Sequence, residues 1–580
     1  MPDFQQLFHS SPFKPTPESI PPKHVVYRMN MPSPVPAHIT PLNPIHFLLR
    51  AALICPDKLA IAHPGPPNPA FYTFADWAQR VQNLAYALIE AGIQPGERVA
   101  VIAPNTPMIA DAHQGILAAR AVICPINIRL TKDVVDYIIE HSGSKLILVD
   151  RQFAHLVQGT PVPTIVCHDT GRADDPYERF LARGRRFSRE RGWQGLDLEM
   201  NEDANASLCY TSGTTGRPKG VISTLRGSYL AAISNAYETK LDRSSTYLWI
   251  LPMFHACGWT FPWACTFAFS TQLIIRAVEY DVIWHHINNS NVTHYCGAPT
   301  VQIGIVNSPY ARKLDSARFV TAIIAGAAPT SHLISQLERL GIKVTHVYGL
   351  TETYGPFTRN YYRPLHPIDE KVGLHDGDAR IMARQGHAFA NSDEARVVYR
   401  QQNGEPLDAP LRDVPDDGNT LGEIVVRGNI VMKEYFRDPE ATRKAFRGGH
   451  FNTGDLAVRN PDGSLSIQDR SKDLIISGGE NASSLAIEQE LAKHPDVQEV
   501  TVVARAHPTW GERAMAFVML HTHSSFKSRV EEFEKELKAF AAKVLPGFAR
   551  PEWVTVVDEL PKTGTGKVLK HVLRSRAAKL

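Results

Sequence analysis

What this sequence lacks excludes several kinds of protein at once. It has no uninterrupted apolar run of the ~18–20 residues that a membrane-spanning helix needs. The nearest stretch, WTFPWACTFAFSTQLII at 259–275, is broken by Pro262, Ser270 and Gln272 and predicts a buried helix instead. Its seven cysteines, an odd number scattered from Cys55 to Cys296, include no C-x-x-C pair. Neither a zinc ribbon nor a disulfide framework is therefore expected, and a reducing compartment fits. A formal net charge of +3 over 580 residues offers no basic stripe for nucleic acid. The N-terminal residues hold no apolar segment of the secretory kind, and the G-x-x-x-x-G-K-[ST] phosphate loop does not occur.

What is present is the ordinary balance of a globular protein, 43% hydrophobic and 21% charged, in a chain too long for one core. Residues 1–42 are proline-rich and predict a loosely ordered extension. From Thr73 the pattern becomes regular. In TFADWAQRVQNLAYALIEAG, Phe74, Trp77, Val81, Leu84 and Leu88 recur at helical spacing, Thr73 and Asp76 resemble a capping box, and Gly92 stands where the helix should stop. The apolar runs RVAVIAP, AVICPI and SKLILVD then alternate with amphipathic segments, which implies an α/β fold with a parallel sheet covered on both faces. Such sheets bind ligands at the carboxyl ends of their strands. The alternation resumes in TAIIAGAAP and KVTHVYGL, and gives way between Gly422 and Arg470 to short strands with Asp-Gly turns. Beyond Arg470 a helix from Ser483, two strands and the long VEEFEKELKAFAAKVL helix predict a separate α+β unit. The expected domains are 43–470 and 471–580.

The chemistry concentrates in glycine-rich segments. YTSGTTGRPKGV follows an apolar strand with flexible backbone, several hydroxyls and Lys219, which suits an anion such as a phosphate. VYGLTETYG sets Thr351 and Glu352 at the end of a strand, a hydroxyl for phosphate and a carboxylate for Mg2+. FNTGDLAV places Asp455 after a glycine turn, where it could accept two ribose hydroxyls. DRSKDLIISGGEN carries Arg470, Lys472, Gly478 and Gly479, and LPKTGTGKVLK holds Lys567 in a glycine-flanked loop. Each has a bland reading by itself, as a surface turn or a solvated lysine; their conjunction in this order does not.

The ordered set YTSGTTGRPKG, GAAPT, YGLTET, FNTGD, DRSKDLIISGGEN and PKTGTGK resembles the adenylate-forming (AMP-binding) superfamily from about Pro44 to the end. LPMFHACGW, ARQG and GEIVVRGNIVMKEYF are similar to its peroxisomal acyl-activating enzymes and short- to medium-chain or aromatic acyl-CoA ligases. The resemblance implies a large N-terminal domain of stacked α/β sheets with a small β-barrel, and a smaller mobile C-terminal α+β domain. It implies two steps: a carboxylate attacks the α-phosphate of ATP, and CoA then takes the acyl group from acyl-AMP. Thr211, Ser212, Gly213, Thr214, Thr215 and Lys219 would cradle the β- and γ-phosphates. Gly326, Ala327, Ala328 and Tyr348 would flank adenine, Thr351 the α-phosphate, Glu352 the Mg2+, and Asp455 and Arg470 the ribose. Lys567 would bridge the acyl carboxylate and α-phosphate, and Lys472 would be the hinge. Gly478 and Gly479 would reach the pantetheine channel after the domain swings, and His255 would gate the acyl and thiol channels.

Three positions depart from the pattern: His450 where tryptophan is usual, and Ala256 and Cys257 in HACGW, near the expected acyl pocket. The shape of that pocket is expected to depend on Trp259, residues 297–301, Gly326 and residues 354–357, of which Tyr354 and Phe357 are expected to shorten or flatten it. The terminal Ala578-Lys579-Leu580 is similar to the S-K-L address and points to the peroxisomal matrix and its import receptor. Loading of a carrier protein, or a non-catalytic nucleotide-binding relative, remain as alternatives to CoA ligation.

Overall fold

The computed structural model describes residues 11–65, 68–211, 217–315, 317–369, 371, 373–401, 405–470, 472–562 and 567–580. Alternation of apolar runs and amphipathic helices becomes two stacked sheets. One has nine strands, of which Leu59–His63, Thr271–Ile274, Thr246–Trp249, His294–Gly297, Val320–Ile324 and Ile342–Leu350 run parallel. The other has seven, with Asn205–Tyr210, Val122–Pro125, Arg98–Ile102, Leu146–Asp150 and Thr164–Cys167 parallel.

Because successive strand residues face opposite sides, Val99 and Val101 join the layer between the sheets while Ala100 and Ile102 face the outer helix Lys132–Ser142. Both faces are buried, which is why the strand reads as an unbroken apolar run. The helix Phe74–Glu90 lies in the inner layer. The Thr73 hydroxyl accepts from Asp76 N, the Asp76 carboxylate accepts from Thr73 N, and Gly92 follows the helix end at φ 91°. A third, five-stranded antiparallel sheet includes Gly422–Val426, His450–Arg459 and Leu465–Arg470. The C-terminal unit is a fourth sheet built on the long pair Val497–His507 and Gly511–Leu520, packed by helices Ser484–Leu491, Val530–Val544 and Lys570–Ala577.

Two expectations fail here. The 259–275 run is not one helix. It divides into a turn, the helix Phe261–Phe267 and the strand Thr271–Ile274, where buried Gln272 accepts from the Trp249 indole. The described part of the proline-rich segment is not loose either. Phe13 packs edge-on against Tyr72, Glu18 O accepts from Asn83 Nδ2, Ile20 O accepts from Arg185, and Asn30 N donates to Leu196 O. Prolines lack donors but leave carbonyls free to accept, so an extended strap can still satisfy buried side chains beneath it. Ser19 completes one such group. Arg80, 1% exposed, reaches Asp111 at 2.9 Å, Glu178 at 2.8 Å and the Ser19 hydroxyl at 3.1 Å, with its guanidinium 4.2 Å from the Tyr72 ring centre.

Candidate active site

Ends of strands assemble the site. Val320–Ile324 leads into Gly326, Ala327 and Ala328; Ile342–Leu350 carries Tyr348 and runs into the short turn Thr351–Thr353. The antiparallel strands His450–Arg459 and Leu465–Arg470 place Asp455 directly opposite Arg470. Arg470 Nε lies 3.2 Å from Asp455 Oδ1, and the Tyr348 hydroxyl donates to Asp455 Oδ2 at 2.7 Å. Gly326, Ala327, Ala328, Tyr348, Asp455 and Arg470, with Lys472 and Lys567, line a cavity of about 370 Å³ between the large N-terminal part and the C-terminal unit, while Thr351 and Glu352 do not line it.

Lys567, distant in sequence, is brought against Asp455 and Arg470. Burial pushes its ammonium down to about 7, and Arg470, Lys472 and Lys570 push the same way against Asp455. Lys472 is lowered to about 8, by burial and then by Arg470 and Arg574. The cavity thus gathers cations whose charges oppose one another, an arrangement that an entering anion relieves.

A second cavity of about 240 Å³ shares Gly326, Ala298, Thr300 and Lys567 with the first and is otherwise lined by His255, Trp259, Ile250, Val301 and Tyr280, among others. His255 and Trp259 reach it from an unusual backbone. Ala256, Cys257, Gly258, Trp259 and Thr260 all have positive φ, between 42° and 62°. Four of these five are not glycine, and each such residue costs about 1–2 kcal/mol, so the surroundings must hold the turn. Asn235 Nδ2 donates to Trp259 O and to Thr260 Oγ1 at 3.1 and 2.8 Å. Gly355, at φ 103°, packs on it so closely that a Cβ would stand 2.9 Å from Trp259 Cα. His255 is held down to about 4 by burial and then by Lys567, so its imidazole is neutral around pH 7.

The phosphate side is described only in part. Ser212, Gly213, Thr214 and Thr215 lie outside the described residues. At its margins Thr211 N donates to Lys219 O at 2.9 Å, and the Lys219 ammonium sits 4.8 Å from the Tyr435 ring centre. The Tyr435 hydroxyl donates to Glu352 Oε1 at 2.8 Å. Tyr435 therefore links the two segments that sequence reading assigned separately to phosphate and to metal, and that reading gave it no role. Its strand, Glu434–Tyr435, is two residues long and pairs with Gly220–Thr224, so no local periodicity could announce it. Burial raises Glu352, while the Tyr435 hydroxyl opposes that rise. Among the described residues no lysine or arginine forms an ion pair with Glu352. A carboxylate that burial disfavours, held in its charged form by the Tyr435 hydroxyl, its own backbone N–H and then Arg470, beside a loop suited to phosphates, fits a hard cation such as Mg2+.

Other expected residues fall elsewhere. Gly478 and Gly479 form a hairpin turn at φ 61° and 88°, Gly478 against the Trp510 ring, and line neither cavity. Tyr354 and Phe357 do not line the smaller cavity: the Tyr354 hydroxyl accepts from Thr224 N and its ring covers Gly227, while Phe357 is fully buried in the neighbouring core. Ala256 and Cys257 lie behind the cavity wall, with the Cys257 sulfur 3.2 Å from that of Cys209. His450 bonds Gly448 O at the start of its strand.

Two family models match this chain: AMP-binding enzyme over residues 49–436 and AMP-binding enzyme C-terminal domain over residues 486–567. The chain is 37% identical over 575 residues to a peroxisomal acetate/butyrate–CoA ligase of Arabidopsis thaliana, an alignment covering 94% of this chain and 96% of that one. It is 35% identical over 568 residues to a peroxisomal benzoate–CoA ligase of the same plant, covering 93% and 94%. The ATP-bound crystal structure of MatB from Rhodopseudomonas palustris has the same fold, with a TM-score of 0.77 at 24% identity over 93% of this chain and 99% of that one. With two thirds of its length matched by the first model and its C-terminal unit by the second, the chain belongs to the AMP-binding enzyme family.

Proposed function

We propose that this protein is an AMP-forming acid–thiol ligase that activates a carboxylic acid with ATP and passes the acyl group to CoA. The observation that carries the reading is the position of Lys567. It stands in the wall common to the two cavities, beside the Asp455–Arg470 pair on one side and His255 on the other. A cation there suits the place where an acid from the smaller cavity meets the α-phosphate of a nucleotide in the larger one. The acid's oxygen attacks phosphorus, pyrophosphate leaves, and charge that builds on the phosphate oxygens is met by a preorganised ammonium. Asp455 and Arg470 hold the ribose, and Gly326, Ala327, Ala328 and Tyr348 flank the base. Thr351 addresses the α-phosphate, and Thr211 to Thr215 with Lys219 address the terminal ones. Mg2+ would be held by Glu352 and would neutralise phosphate charge.

For the second step the C-terminal unit turns about Lys472 and carries Gly478 and Gly479 to the thiol channel, where neutral His255 and Trp259 form the gate. The present arrangement, with those glycines away from both cavities, suits the first step. The acid is a small monocarboxylate, as in the named relatives, whose acids range from acetate and butyrate to benzoate. Ala578, Lys579 and Leu580 are exposed beyond the last helix, as a receptor-read peroxisomal address must be, and several relatives are named peroxisomal. No helix among the described residues is long and apolar enough to cross a membrane.

The test is exchange of labelled pyrophosphate into ATP across a panel of acids, followed by CoA-dependent AMP release. Exchange with at least one acid, and AMP release that needs CoA but no added carrier protein, are expected. Absence of exchange from a folded, Mg2+-supplied preparation would overturn the reading.

A further inference from the structure

Away from both cavities, His366, His375 and Asp378 each bring one donor atom to within 4.8 Å of the others. We propose that these three side chains bind one divalent transition-metal cation of the zinc class, with water in the remaining positions. Nothing in the proposed adenylation chemistry uses them.

Asp378 is buried at 2% exposure, and its carboxylate is oriented in advance. Oδ1 accepts from the Tyr362 hydroxyl at 2.6 Å and from Leu365 N at 3.4 Å, and Oδ2 accepts from His366 N at 3.2 Å. His366 Nδ1 stands 2.9 Å from that Oδ2. Two neighbouring ligands bound at ~2.0–2.2 Å to one metal stand about 3 Å apart, so a cation can share this pair with little movement. His375 completes the set. Its Nδ1 accepts only a long bond, 3.3 Å, from Gly377 N, and its ring lies 4.4 Å centre to centre from that of His366. Both imidazoles are exposed, which leaves a path for the ion and room for the small rotation that closes 4.8 Å to bonding range. Two imidazoles with one carboxylate select zinc, cobalt, nickel or copper rather than Mg2+ or Ca2+, which take oxygen ligands. The hydrogen bonds behind Asp378 are the supporting shell such a site needs.

A cation here clasps the segment carrying His366 to the helix Asp376–Met382. That helix runs on to Gln385, which lines the larger cavity and whose Oε1 accepts from Ile467 N at 2.6 Å. The effect expected is on the firmness of this wall, read as thermal stability.

The experiment is calorimetric titration of ZnCl2 into the chelator-stripped full-length protein without nucleotide, with Co2+ visible absorption and thermal unfolding as parallel readouts. Wild type binds one specific equivalent and unfolds at higher temperature with it. His366→Ala and His375→Asn weaken that equivalent by about tenfold or more. Asparagine at 375 preserves an acceptor for Gly377 N at the helix start, so loss of binding in that variant is not loss of fold. Mg2+-dependent pyrophosphate exchange, measured without zinc, stays at the wild-type level in both. With 24 histidines in the chain, zinc that binds equally well to His375→Asn belongs to another place and overturns the proposal, as does the absence of any saturable equivalent.

Discussion

Arg80 and Lys567 are both cations withdrawn from bulk solvent. Around Arg80, burial alone would lower its affinity for the proton, yet Asp111 and Glu178 more than reverse that and hold its charge firmly. Around Lys567, burial and three other cations act together, Asp455 opposes them, and the ammonium falls to about 7. The first group needs no ligand to hold its cation and serves the fold, although Asp111 Oδ1 has no hydrogen-bond partner among the described residues. The second is a gathering of like charges around one cavity, whose mutual opposition an anion from outside the chain would relieve. Like charges gathered around a cavity in this way mark a candidate site for an anion.

The sharpest way to break the comparison is to remove each charge in turn. Arg80→Met strands two buried carboxylates and should cost about 3–5 kcal/mol of stability, read as a large fall in the denaturant midpoint, while the fraction that stays folded keeps its pyrophosphate exchange. Lys567→Met should do the reverse. Its exchange rate drops about 10²–10³-fold, conversion of supplied acyl-AMP to thioester changes little, and the melting temperature near pH 7 stays level or rises. A destabilised Lys567→Met protein, or equal losses in both half-reactions, would remove the distinction drawn above.

How much of this could be read from the chain depends on the range of the signal. The helix Phe74–Glu90, with its Thr73–Asp76 cap, and the strands at Arg98, Val122 and Leu146 follow from spacing within one segment. The motif residues Gly326, Tyr348, Asp455, Arg470, Lys472 and Lys567 meet at one cavity, whereas Thr351 and Glu352 do not line it. What stayed hidden depends on distant partners. Tyr435 matters because a two-residue strand pairs across the sheet to Val221 and Ile222. Tyr354 stays out of the smaller cavity's lining, its hydroxyl accepting from Thr224 N. The proline-rich strap docks because Arg80, Asn83 and Arg185 need acceptors that no local pattern reveals.

Tyr435→Phe tests the link on the phosphate side at smaller amplitude. Loss of a hydrogen bond to a charged group, about 1.5 kcal/mol, should lower exchange about tenfold. The Mg2+ requirement should increase, and the acid limb of the pH profile should move upward as Glu352 loses the hydroxyl that opposes its rise. An unchanged Mg2+ requirement would detach Glu352 from the metal.

The smallest effect is in protons. Lys567 is charged in the unfolded chain up to about its ordinary 10.5 but in the folded one only to about 7. Between those values the unfolded state therefore holds more protons, and stability rises with pH; below about 7 both states are charged and the cost of burial is felt in full. An anionic ligand restores the charge, so nucleotide binding at pH 8 should take up a fraction of a proton. Calorimetry in buffers of different ionisation enthalpy should detect it in the wild type, and in Lys567→Met that contribution should vanish.

The strap over Arg80 has a practical corollary for anyone engineering this protein. Trimming the chain to its first regular helix at Ile45 would look harmless on a plot of secondary structure. It would also strip the Ser19 hydroxyl from Arg80 and the Glu18 carbonyl from Asn83, opening a buried charge cluster to solvent. A shortened version should therefore begin ahead of Phe13, and an affinity tag placed there should be given a spacer long enough to leave the strap seated.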